Sequence, residues 1–143
     1  AGRLQELEAI FLGLGIQFSR TKVTERTSRP DFIFPGIDHY RNPSYPPDLL
    51  TMLAAKSTCK DRWRQIIPEA DRIERKHLLT LEPAISENQT TEMQDAGVSL
   101  VVPDALHVTY TFSQRFSLLT LRQFVGLVKA RQDAHHARDK HLG

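Results

Sequence analysis

Asp31 and Lys56 are the residues whose setting first suggests chemistry. Asp31 follows Pro30 and opens the short apolar run Phe32-Ile33-Phe34. Lys56 stands near the end of the next strong apolar stretch, residues 49–57. Hydrolysis of a phosphodiester needs a metal ion to neutralise charge, carboxylates to hold it, and a base or cation beside the attacking water. An aspartate at the start of one strand and a lysine at the end of the next supply two of those parts, provided the strands pair like a hairpin. Taken singly, Asp31 reads as a solvated strand-edge residue. Lys56 reads as a strand-terminal charge whose stem snorkels to water. Together they still leave the chemistry one carboxylate short.

The elements that must position these residues show in the apolar periodicity. Leu4, Leu7, Ile10, Phe11 and Leu14 recur at helical spacing, closed by Gly13 and Gly15. The segment after them is expected to run into a strand at residues 21–24. Residues 29–36 form a short strand between a proline and Pro35-Gly36. Residues 36–48 read as a loop, rich in prolines and turn formers. Residues 49–57 are a buried strand. A helix face follows in Trp63, Ile66, Ile67, Ala70 and Ile73, interrupted or re-initiated at Pro68. Residues 77–81 are a strand. Ser86-Glu87-Asn88-Gln89 resembles a capping box opening a helix that ends near Gly97. Residues 98–102 are another buried strand, stopped by Pro103, and residues 116–129 a last amphipathic helix. Alternating strands and helices argue an α/β fold with a mixed central sheet flanked by helices. The expected organisation is one domain over residues 1–130 and a polar, frayed tail over 131–143, which holds His135 and His136.

Composition sets bounds on partners. The chain has 143 residues, 40% of them hydrophobic, enough for a sizeable core. No apolar run approaches the roughly 18 residues of a membrane helix. The N-terminus lacks the basic and apolar segments of a signal peptide. Its abrupt start inside a helical pattern suggests a fragment of a longer protein. The lone Cys59 excludes an internal disulfide and fits a reducing, cytoplasmic setting. A net charge of +2 with an isoelectric point near 8.9 permits a nucleic-acid partner without requiring one.

The stretch Lys56-Ser57-Thr58-Cys59-Lys60-Asp61-Arg62-Trp63-Arg64-Gln65 is specific. It resembles the signature of EcoRII-type restriction endonucleases, within the superfamily built on Pro-Asp, an acid and a lysine. Further stretches share the likeness: residues 29–36, Leu78-Leu79-Thr80-Leu81 with Ser86-Glu87-Asn88-Gln89, and residues 97–103. The resemblance covers roughly residues 4–130. It implies a restriction-endonuclease-like fold, a prokaryotic cytoplasmic setting and Mg²⁺-dependent type II cleavage of double-stranded DNA at a short CC/GG-flanked site. The superfamily pattern puts its second acid two positions before the lysine, where this chain has Ala54, and the EcoRII-type resemblance implies that this acid has moved onto the helix after the lysine, to Glu69. Asp31 and Glu69 would hold Mg²⁺, Lys56 would orient the attacking water, and Tyr40 would support the site by a hydrogen bond or phosphate contact. Lys60, Asp61 and Arg62, with Arg64 beside them, would contact DNA. Arginine or lysine donates to guanine and a carboxylate accepts from cytosine, so a basic–acidic–basic triplet can read adjacent G·C pairs. Without the family, the triplet reads as a surface salt-bridge cluster and Tyr40 as a loop tyrosine packed on the sheet.

Other candidates are weaker. Glu6 and Glu8 could give an auxiliary acid or line a solvated helix face. Arg20, Lys22, Arg26 and Arg29 could touch phosphates or face solvent. Trp63 reads as core, Cys59 lacks a nucleophile's partner, and His39, His77 and His107 show no metal-ligand spacing. Cleavage of both antiparallel DNA strands calls for a two-fold homodimer, with the helix carrying Trp63 or the last helix as interface. A regulatory effector domain outside this fragment is also implied. The alternative readings are a DNA repair or mobile-element nuclease, and a DNA-binding module that has lost cleavage.

Overall fold

The computed structural model describes residues 2–20 and 30–142, without the side chains of residues 2, 3, 60, 61 and 139–142. The described residues build one five-stranded sheet from β1 (Ser19–Arg20), β2 (Phe32–Phe34), β3 (Thr51–Ala55), β4 (Lys76–Leu79) and β5 (Val98–Val101), in sequence order across the sheet. β1, β2 and β3 pair antiparallel, whereas β3, β4 and β5 pair parallel. The sheet is therefore mixed, with its change of direction at β3. The expected strand at residues 21–24 lies outside the described residues.

Helices cover both faces, so β2 is buried on every residue and β3 on all but its last. On one face, Phe32, Phe34, Leu53 and Val101 pack against Leu7 and Phe11 of α1 (Gly2–Gly13) and Phe124 and Val128 of a long C-terminal helix. Phe11 meets the rings of Phe32 and Phe34 edge-on, with centroids 5.1 and 5.3 Å away. On the other face, Ile33, Met52, Ala54, Leu78 and Leu100 pack against Trp63, Ile66 and Met93. Trp63 is buried, as its place on an apolar face implied.

Several elements depart from the sequence expectation. The loop at 36–48 contains α2 (Ile37–Arg41) and a 3₁₀ turn at Pro47–Leu49. The helix expected from Lys60 is a 3₁₀ segment, Lys60–Ile66, that gives way to turns around Pro68, whose nitrogen has no hydrogen to donate. α3 (Glu87–Asp95) begins where expected, with Ser86 Oγ accepting from Gln89 N at 3.2 Å. The last helix does not start at Phe116. A short α4 (Phe112–Arg115) comes first, and α5 spans Leu121–Leu142.

The frayed tail from residue 131 is thereby corrected, since the helix continues through it to Leu142. Tertiary contacts hold this half of α5. Arg131 donates to Leu50 O and Thr51 Oγ1, both at 2.9 Å, and the His135 ring lies 4.5 Å from that of Tyr45. Among the described residues, no helix is long and apolar enough to cross a membrane.

Candidate active site

β2 and β3 run antiparallel, so the start of the first lies beside the end of the second. Asp31 immediately precedes β2, and its Oδ2 accepts from Ala55 N at 2.7 Å. Lys56, the next residue, donates its backbone N–H to Leu79 O of β4 at 3.0 Å. The strand pairing thus sets the aspartate and the lysine at one rim of the sheet, as the hairpin argument required.

Glu69 joins them from a different route. It sits in the turn after the 3₁₀ segment, not on a helix, with its N–H donating to Ile66 O at 3.0 Å. Its Oε1 is shut off from water and has no hydrogen-bond partner among the described residues. Burial, and then the negative charge of Asp31, push its pKa from 4.5 up to about 7, against the pull of Lys56 and Lys76. Glu69 thus shares one electrostatic neighbourhood with Asp31 and Lys56.

Two hard carboxylates, one with an orphaned buried oxygen, suit a divalent cation. Among the described residues no cluster of three or more His, Cys, Asp or Glu could hold a metal. Waters and a phosphate would have to complete the shell, as Mg²⁺ prefers.

Tyr40, on α2, is buried, and its Oη accepts from Arg72 N at 3.0 Å. It therefore touches the turn that follows Glu69. Lys60 and Asp61 open the 3₁₀ segment just after Lys56, but their side chains lie outside the described residues. Arg62 is exposed. Arg64 is exposed too, with its guanidinium 4.3 Å from the centroid of the Trp63 ring and 2.9 Å from Glu92. Glu8 pairs with Arg20 at 2.7 Å, which engages both an auxiliary-acid candidate and a phosphate-contact candidate. Glu6 is exposed, while Lys22, Arg26 and Arg29 lie outside the described residues. Cys59 is fully buried, and burial pushes its thiol up to about 11, which suits an inert core thiol.

Two residues near the site escape the sequence analysis. Lys76 is buried at the start of β4 and donates to Ala70 O at 3.0 Å and Ile73 O at 2.6 Å. Arg72 reaches back to α2 and the loop beyond it. A basic residue opening an otherwise buried strand was the one available hint of Lys76.

The mixed sheet covered by helices on both faces, with these groups at one rim, is a restriction-endonuclease-like α/β fold. Two solved structures share it. Metal-depleted Ecl18kI in complex with uncleaved, modified DNA matches with a TM-score of 0.73 at 21% identity, over 87% of this chain and 42% of that one. The complex of metal-depleted Ecl18kI with uncleaved DNA gives 0.72 at 22%, with the same coverage.

The family model for the EcoRII C terminal matches residues 3–125, and the chain belongs to that family. The type II restriction enzyme EcoRII of Escherichia coli is 44% identical over 128 residues, 87% of this chain and 32% of that protein. The chain thus spans about a third of that relative's length.

Proposed function

We propose that this chain is a Mg²⁺-dependent endonuclease domain. It hydrolyses phosphodiester bonds of double-stranded DNA at a short CC/GG-flanked site and acts as a homodimer. The observation that carries this reading is the convergence of Asp31, Lys56 and Glu69 from three separate stretches of chain, with Glu69 Oε1 buried and unpartnered among the described residues.

Asp31 and Glu69 hold the cation. The bond from Ala55 N fixes one Asp31 oxygen and leaves the second as a ligand. A divalent cation there supplies charge neutralisation at the phosphate. Lys56 orients the attacking water and offsets the charge that builds on the phosphate oxygens. Tyr40 supports the site through its hydrogen bond to the turn behind Glu69.

Lys60, Asp61 and Arg62 read G·C pairs from the major groove. They follow Lys56 within a few residues, which couples reading to cutting. Arg64 contributes a phosphate contact by exchanging Glu92, whose exposed pairing is worth at most about 1 kcal/mol.

Digestion of a mixed DNA with Mg²⁺, followed by sequencing of the cut ends, tests the whole reading. A CC/GG-flanked consensus with cuts in both strands is the expected result. Unrelated ends would point to a repair or mobile-element nuclease. Salt-dependent binding without cuts would leave a binding module.

A further inference from the structure

Glu69 has no regular element to hold it. Between the 3₁₀ segment and β4 the chain runs through turns closed by few backbone bonds, among them Glu69 N to Ile66 O at 3.0 Å and Ile73 N to Ala70 O at 2.9 Å. Ala70, the next residue, has φ of 53°. That left-handed conformation crowds a Cβ against the backbone and persists only where the surroundings enforce it.

Two cations provide the enforcement. From one side, Lys76 Nζ binds the carbonyls of Ala70 and Ile73. From the other, the Arg72 guanidinium donates to the carbonyls of Tyr40, of Asn42 at 3.1 Å and of Tyr45 at 2.6 Å. Tyr40 returns the contact, its hydroxyl accepting from Arg72 N and its ring centroid 5.6 Å from the guanidinium carbon. These carbonyls lie at or just past the C-terminal end of α2, where orphaned acceptors and the negative end of the helix favour a cation. A forked planar guanidinium can span several carbonyls at once, whereas an ammonium group cannot.

We infer that Arg72 is a positioning residue for the second metal ligand. By docking the turn onto the end of α2, it holds Ala70 in its left-handed conformation and the Glu69 carboxylate in place. The inference rests on the proposed reading of Glu69 as a ligand, and it names a residue whose guanidinium is engaged by backbone carbonyls.

The test uses the full chain at pH 8, with Mn²⁺ as the probe and free Mn²⁺ counted by electron paramagnetic resonance. Amide exchange is measured on the metal-free protein. Arg72→Ala should weaken Mn²⁺ binding by about tenfold or more, the usual effect of losing a group that orients a ligand. It should also speed exchange at the Glu69 and Ile73 amides by about tenfold, leaving β3 and β4 amides unchanged. Arg72→Lys keeps the charge and should show the same local acceleration, so the reasoning stands or falls even if the alanine variant does not fold. Arg131→Ala removes a comparable set of bonds, to Leu50 O and Thr51 Oγ1, away from the turn. It should lower the melting temperature and leave both readouts alone.

Unchanged exchange at Glu69 and Ile73 in the Arg72 variants overturns the inference, as does an Arg131 variant that moves them equally. A Glu69→Gln protein that still binds Mn²⁺ at full strength overturns the metal reading instead, and the exchange data continue to judge Arg72.

Discussion

Replacement of Glu69 by Gln converts the odd carboxylate of the site into a neutral group of the same shape, and its effect on stability can be worked from the structure. Glu69 titrates near 4.5 when exposed and near 7 in the folded protein, where burial and then Asp31 oppose its charge. Between those values the folded state holds more protons than the unfolded one, so stability falls as pH rises. The favourable protonated state is fully present below about 4.5, and the whole penalty is in force above about 7. At 1.36 kcal/mol per unit the shift corresponds to roughly 3 kcal/mol, and solvent access to a half-buried group reduces this to about 1–2 kcal/mol. His77 works in the opposite sense. Its burial, with the charges of Arg131 and Arg75, lowers it to about 4, so its contribution is present above its ordinary 6.5 and is lost as the pH falls towards 4. The difference between wild type and Glu69→Gln cancels His77 and isolates Glu69. In metal-free buffer the variant should gain about 1–2 kcal/mol at pH 8, equivalent to a few degrees of melting temperature, and nothing at pH 4. Melting curves followed by circular dichroism from pH 4 to 8 give the comparison. A difference that does not grow with pH, or a variant less stable than wild type at pH 8, would refute the argument.

Four further outcomes follow from the proposed function. Asp31→Asn keeps an acceptor for Ala55 N while removing the charge, so cleavage should fall at least about a hundredfold with little change in melting. Lys56→Ala should behave alike in the same plasmid assay, and wild-type rates in either variant would remove that residue from the site. Arg62→Ala should cost about 1 to 3 kcal/mol at a G·C pair and relax discrimination there, measured by binding to duplexes altered base by base. Equal losses on all duplexes would assign Arg62 to the DNA backbone. Light scattering at micromolar concentration should show a dimer with DNA bound, and a monomer that nicks one strand would exclude the two-fold arrangement.

How much of this was readable in the chain varies by residue. Asp31 and Lys56 were visible because prolines and apolar runs punctuate their strands, and antiparallel pairing does the rest. Glu69 was visible only through the family likeness, because Trp63, Ile66 and Ile73 imitate a helix that the structure ends at Ile66. Arg72 left no trace, and Lys76 only that of a basic residue opening a buried strand, because both bind backbone carbonyls, which every residue carries. α2 is five residues long, too short for periodicity to appear. The second half of α5 read as a solvated tail because its anchors, Leu50 and Thr51, are distant in sequence and unremarkable in type.

Ala54 has a consequence of its own. It is 2% exposed, on a strand paired along both edges. A carboxylate there would be stripped of water beside Asp31, and such a group holds its proton well above neutrality unless a partner compensates it. Carried on a turn instead, the acid keeps one side open to solvent, and its affinity for protons stays within reach of physiological pH. Leaving β3 free of charge gives the sheet an undisturbed centre. On the proposed reading of Glu69 as a ligand, the turn would act as a solvation device, setting how readily the acid exchanges a proton for a cation.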